Sequence, residues 1–186
     1  MKLFFSKHKT FFLLFSFLIA WSLLLFAFSP EEIVRAIGIQ GGYLIIFGTA
    51  LVGVSGFASA PFFASLITFA ASGEFHPVLL GLVAGPGSVL GDMLFYYLGV
   101  KGGGVVSDTG LPIVRLLSRK IASLPRWTIP VVSFCYTAFT PLPQDILMVT
   151  LGLGKAPTRL VFPFILLGNI TFVILVAVFV SQGFQP

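Results

Sequence analysis

The sequence predicts an all-α fold: a multi-pass transmembrane protein with two inverted re-entrant helical hairpins. Three observations lead there. Of 186 residues, 57% are hydrophobic and only 9% charged, against about 25% charged in a soluble domain, and mean hydropathy is +1.06. So few charges cannot cover a soluble surface of this size, and lipid must cover the rest. The apolar residues gather into long runs separated by short polar breaks. Two of those runs are interrupted in their middles by glycine and proline and fit neither one crossing nor two.

The first run, Phe11 to Phe28, carries no charge and follows Lys2, Lys7 and Lys9. Its 18 residues exceed the apolar region of about 7–15 expected in a signal peptide. No clear small-x-small cleavage site follows, so residues 1–28 are read as an uncleaved N-terminal transmembrane helix. Residues 29–186 are read as one membrane domain. Ser29 to Gly42 is a polar break with Glu31, Glu32 and Arg35, suited to a brief surface helix starting at Pro30.

Tyr43 to Ser72 is apolar for 30 residues, with Gly53, Gly56 and Pro61 near its middle. One crossing takes about 20 residues. A re-entrant hairpin over 43–72 fits better than one long kinked span. Pro77 to Gly99 is a full-length span carrying Asp92. Lys101 to Trp127 is a polar loop with five basic residues. Its glycine run, Gly102 to Gly104, is no phosphate loop, because no Gly-Lys-Ser/Thr follows. Within it, Ile113 to Leu124 reads as a basic amphipathic surface helix. Thr128 to Gly154 is a second interrupted run, broken by Pro141 and Pro143 and carrying Asp145. The last span covers 157–181.

The interrupted runs echo each other. Pro61 to Gly73 and Pro143 to Gly154 each hold a proline, an apolar half-span with one threonine, and a closing glycine. Paired Gly/Pro-interrupted segments in two halves point to a transporter's binding site. Charge sets the orientation. With the N-terminus cytoplasmic, ten of the eleven basic residues fall inside and only Arg35 outside. The hairpins then enter from opposite faces, with Glu74 outside and Lys155 and Arg159 inside.

Asp92 and Asp145 are the only acids within apolar segments. A central Asp costs roughly 2.5–3.5 kcal/mol on insertion scales and implies a cavity or a partner. The structural alternatives are a water-exposed Asp92 near the helix end and an Asp145 that caps a half-helix. Gly81, Gly85, Ser88, Asp92, Tyr96 and Gly99 form a stripe on one helix face, read first as a packing seam. Asn169 on the last span is a candidate hydrogen-bond partner for the aspartate. The candidate substrate or ion path is therefore Asp92, Asp145, Pro61, Pro141, Pro143, Gly85, Gly91 and Asn169.

Other chemistry has little support. The single cysteine, Cys135, excludes an internal disulfide and a cysteine-cluster metal site, and its apolar surroundings predict a buried, inert thiol. His8 and His76 have no metal-ligand partner at His-x-x-x-His spacing. No triad or Gly-x-Ser-x-Gly is present, so no enzyme is expected, and no cofactor. The net charge of +5 flanks apolar spans, which indicates membrane orientation and no nucleic-acid partner.

The segment Gly85-Pro-Gly-Ser-Val-Leu-Gly-Asp-Met-Leu-Phe-Tyr-Tyr-Leu-Gly99 resembles the Gly-x-x-x-Gly-Asp-x-x-x-Tyr-x-x-Gly signature of the DedA family, also called the VTT or SNARE-associated Golgi domain. The resemblance spans about Gly48 to Gly168. It implies two inverted re-entrant hairpins in a cell membrane and a lipid-related transport role, with membrane lipids and protons as partners. Two departures mark a divergent member. Pro61-Phe62-Phe63 has no acid where the family's first hairpin carries one. Ala138-Phe139-Thr140-Pro141 and the following Gln144-Asp145 lack the arginines of the second. Arginine is the natural bidentate ligand for phosphate. The expected function is movement of lipids or a related amphiphile between leaflets. The alternatives are a proton- or cation-coupled small-solute transporter and a non-transporting scaffold.

Overall fold

The computed structural model describes residues 30–53, 59–101, 120, 125–140 and 144–183. All six elements are helices: α1 Pro30–Val52, α2 Ser59–Ala71, α3 Pro77–Lys101, α4 Thr128–Phe139, α5 Gln144–Leu153 and α6 Thr158–Gly183. No strand occurs among the described residues. Three helices are long and apolar enough to cross a membrane: Val34–Val52 within α1, then α3 and α6. The N-terminal run, most of the 101–127 loop, and both Pro141 and Pro143 lie outside the described residues.

The helix expected from Pro30 forms, and instead of ending within the polar break it continues into the apolar run. Proline suits a helix's first position. The helix bends at Gly38, whose φ of 76° and ψ of 159° belong to a region essentially reserved for glycine. The brief surface helix and the first arm of the interrupted run are thus joined through one flexible residue.

The packing has an internal order. α3 and α6 form the central pair. They run antiparallel: Gly81 and Gly85 of α3 lie against Ile174 and Ile170 of α6, and Tyr96 stacks edge-on against Phe162. In the first half, α1 packs on α3; in the second, α4 packs on α6. The second short helix of each half crosses over, α2 onto α6 and α5 onto α3. Exchanging the halves therefore maps the set of helix contacts onto itself, save that α1 also packs on α2.

Glycines set the close approaches. A Cβ at Gly87 would meet the Phe47 carbonyl on α1 at 2.7 Å. At the α3–α5 crossing, a Cβ on Gly99 would meet the Val149 carbonyl, and one on Gly152 the Tyr96 carbonyl. On α6, Gly168 receives Thr137 and Phe134 of α4. The stripe read as a packing seam is one.

Two apolar clusters fill the bundle. One gathers Ile46, Leu66, Phe69, Phe75 and Leu80; the other Met148, Leu151, Val161, Ile165 and Tyr96. Large apolar side chains also cover the outside, Leu44, Leu94 and Phe179 among them, the last 81% exposed. Trp127 is exposed beside Arg126 at the start of α4, the residue pairing of a membrane–water boundary. Cys135 is exposed as well, contrary to the expected burial. In a lipid-covered bundle an apolar run has an outer face too, so apolar neighbours do not imply burial.

Candidate functional site

Asp92 lies in the body of α3, nine residues before Lys101, or about 13 Å at the helical rise. It is 1% exposed, which sets aside a water-exposed position near the helix end. Asn169 of α6 donates from Nδ2 to Asp92 Oδ2 over 3.1 Å. Gln144, the first residue of α5, donates from Nε2 to Asn169 Oδ1 over 2.8 Å. The chain of bonds has a direction. Because Gln144 occupies the Asn169 oxygen, the Asn169 NH2 is left to face the carboxylate. Asp92 Oδ1 is buried and accepts no hydrogen bond from the described residues, and on α4 the buried Ser133 Oγ likewise has no partner among them.

Asp145 sits in the first turn of α5, as the capping alternative requires. It is half-buried and close enough to Asp92 and to Tyr136 for its charge to act on both. The two acids therefore share one region, the inner fully buried and the outer at the helix start. The base of α3 is tied to the second half by Tyr96, whose hydroxyl donates to the Ala156 carbonyl over 2.6 Å.

The structure brings together only part of the expected path. Asp92, Asn169 and Asp145 converge, with Gly91 buried beside Asp92. Gly85 lies farther along the seam, against Ile170. Pro61 is buried on α2, whose partners are α1 and α6. Pro141 and Pro143 fall outside the described residues. No group of three or more metal-ligating side chains occurs among the described residues.

Sequence reading missed Gln144, and it missed a second repeat. The central helices share the pattern Pro86-x-x-x-x-Gly91-Asp92 and Pro163-x-x-x-x-Gly168-Asn169 at a constant offset of 77 residues. Burial follows the same offset: Pro86 and Pro163 are exposed, as are Leu90 and Leu167, while Gly91 and Gly168, and Tyr96 and Val173, are buried. Each interior proline removes one helical hydrogen bond a turn and a half before the polar residue. Asp92 and Asn169 are thus counterparts in the two halves, and they bond to each other. The short helices are less alike at their starts: where α5 follows Pro143 with Gln144-Asp145, α2 follows Pro61 with Phe62-Phe63.

Comparison with family models, with characterised proteins and with solved structures gives no match.

Proposed function

We propose that the chain is a membrane transport protein that moves lipids or a related amphiphile between bilayer leaflets, in the manner of a scramblase. The supporting observation is the polar chain that runs from half-buried Gln144 to the buried Asn169 and Asp92 at the meeting of two like halves. Polar groups held in the interior of a lipid-covered bundle mark a path by default. Inverted repeats meeting at such a site are the common plan of transporters. In this reading α1–α2 and α4–α5 are the two re-entrant hairpins. α2, α4 and α5, with 13, 12 and 10 residues, extend about 15–20 Å, short of a hydrocarbon core of about 30 Å. The N-terminus lies in the cytoplasm, as the basic loops require, and no enzymatic step is assigned.

The DedA-like signature around Asp92 agrees with this reading. A second reading, a proton- or cation-coupled small-solute transporter, is favoured by one observation: the carboxyl oxygen of Asp92 that no group of the described residues satisfies. Reconstitution separates the two. Purified protein in liposomes with acyl-labelled fluorescent lipid should expose the inner-leaflet label to an impermeant quencher. Failure to do so, alongside proton-coupled solute uptake, favours the second reading. Neither activity leaves a scaffold.

A further inference from the structure

The two halves could have placed their one central carboxylate on either long helix. At position 169 it would accept from both Gln144 Nε2 and a side-chain amide at 92, so each oxygen would have a donor. Among the described residues, at position 92 it receives only the Asn169 NH2, and Oδ1 is left buried without a partner. An unsatisfied buried acceptor is costly, about 1–3 kcal/mol and more when charged. The chain thus carries its acid at the less satisfied of two equivalent places.

The surroundings define what Oδ1 can take. Among the described residues every Lys and Arg is exposed: Arg35, Lys101, Lys120, Arg126, Lys155 and Arg159. The interior offers a carboxyl group at Asp92 and a second, half-buried one at Asp145. Exposure falls from Asp145 to Asp92, so the acidic pair leads inward from the start of α5. Such a site attracts a positive group and repels a phosphate.

We propose that Asp92 Oδ1 is the acceptor for a compact monovalent cationic group, either the ammonium of a lipid headgroup or a free alkali cation, with Asn169 and Gln144 as positioning residues that turn the other oxygen away from it. This rests on the transport reading and adds a ligand chemistry to it.

The decisive variant is the double exchange Asp92→Asn with Asn169→Asp. It keeps the charge, the composition and the bond between the helices, but gives both carboxylate oxygens a donor. Its melting temperature should match that of the native chain or exceed it. The full chain is reconstituted in phosphatidylglycerol vesicles with trace acyl-labelled phosphatidylethanolamine or phosphatidylglycerol. The native protein should move the ethanolamine probe about tenfold faster, the factor that 1.4 kcal/mol of differential binding gives, and the exchanged protein should move both alike. If the ligand is instead a free ion, sodium or potassium chloride should raise the native melting temperature above its value in N-methylglucamine chloride, and the exchange should abolish the rise. An exchanged protein that retains the headgroup preference or the alkali response overturns the proposal. So does a native protein that shows neither. A native chain that moves no lipid yet responds to alkali cations keeps the cation site and defeats the lipid reading. Should the exchange fail to fold, Asp92→Asn alone is read by the same two responses, and their survival in it has the same overturning force.

Discussion

Asp92 and Asn169 each follow a glycine and stand six residues past a proline, on different helices, and they are hydrogen-bonded to one another across the central helix pair. Two like segments thus meet at their like positions, as an internal two-fold relation requires. The bond is the polar centre of an interface that sets glycines against isoleucines on one side of it and Tyr96 against Phe162 on the other.

Asn169→Leu should destabilise the protein by about 2–4 kcal/mol, because it strips Asp92 of its one donor and leaves a buried carboxylate unpaired. Asn169→Asp should also destabilise, since two acids then face each other. Thermal unfolding in detergent measures both. An Asn169→Leu protein as stable as the native one would show that the bond contributes nothing.

Two helical glycines, one at the α3–α5 crossing and one in α1, give a pair of opposite effects. Gly152→Ala places a methyl against the Tyr96 carbonyl, and overpacking of that kind costs about 1–3 kcal/mol. Gly48→Ala, in α1, meets nothing within 4 Å and should stabilise by about 0.5–1 kcal/mol through reduced unfolded-state freedom. Equal effects from the two substitutions in the same unfolding assay would contradict the crossing geometry.

The end of α5 was only half legible. Gly154 reads as the closing glycine of the second repeat, equivalent to Gly73, and Gly73 does have a positive φ of 70°. In α5 the left-handed residue is Lys155, with φ 50°. The Lys155 amide bonds to the Gly152 carbonyl and the Ala156 amide to that of Leu151, both over 3.0 Å, which is a Schellman ending with lysine where glycine is usual. Lys155→Gly should therefore raise stability by about 1 kcal/mol. An unchanged or lowered melting temperature would mean that the lysine head compensates its backbone.

Topology can be mapped directly. Cys135 is exposed, so Cys135→Ala should leave packing intact and supply a clean background. Cysteines at Glu74 and Lys155, both exposed at helix ends, should react with an impermeant reagent from opposite faces. Cysteines at Ala60 and Leu142 should react with a small aqueous reagent, because a hairpin tip at membrane depth needs water or protein for its backbone. Glu74 and Lys155 on one face would remove the inverted arrangement altogether.

Much of the helix layout could be read from hydropathy, because lipid imposes an apolar length on every crossing. α3 and α6 begin and end within two residues of the runs at 77–99 and 157–181, and α4 and α5 flank the prolines at 141 and 143. The start of α1 at Pro30 was legible from its proline; its continuation into the apolar run was not, since the polarity between 29 and 42 reads as a break. At the site, an isolated acid in an apolar span signals itself, so Asp92 and its Asn169 partner were accessible. Gln144 was not: a neutral amide beside a proline looks like any turn residue. The offset repeat of Pro86 and Pro163 was present in the sequence but overshadowed by the similarity of the interrupted runs.

The crossed packing of α2 onto α6 and α5 onto α3 carries a consequence for biogenesis. The chain emerges in order, so α2 is made well before its partner α6. Until the last helix arrives, Phe63 of α2 lacks Phe172, the ring of α6 that it meets edge-on. Neither half is a finished unit that waits for the other. Assembly has to be completed by the final insertion, and a ribosome stalled before α6 would leave a chain correctly threaded but open along its central seam.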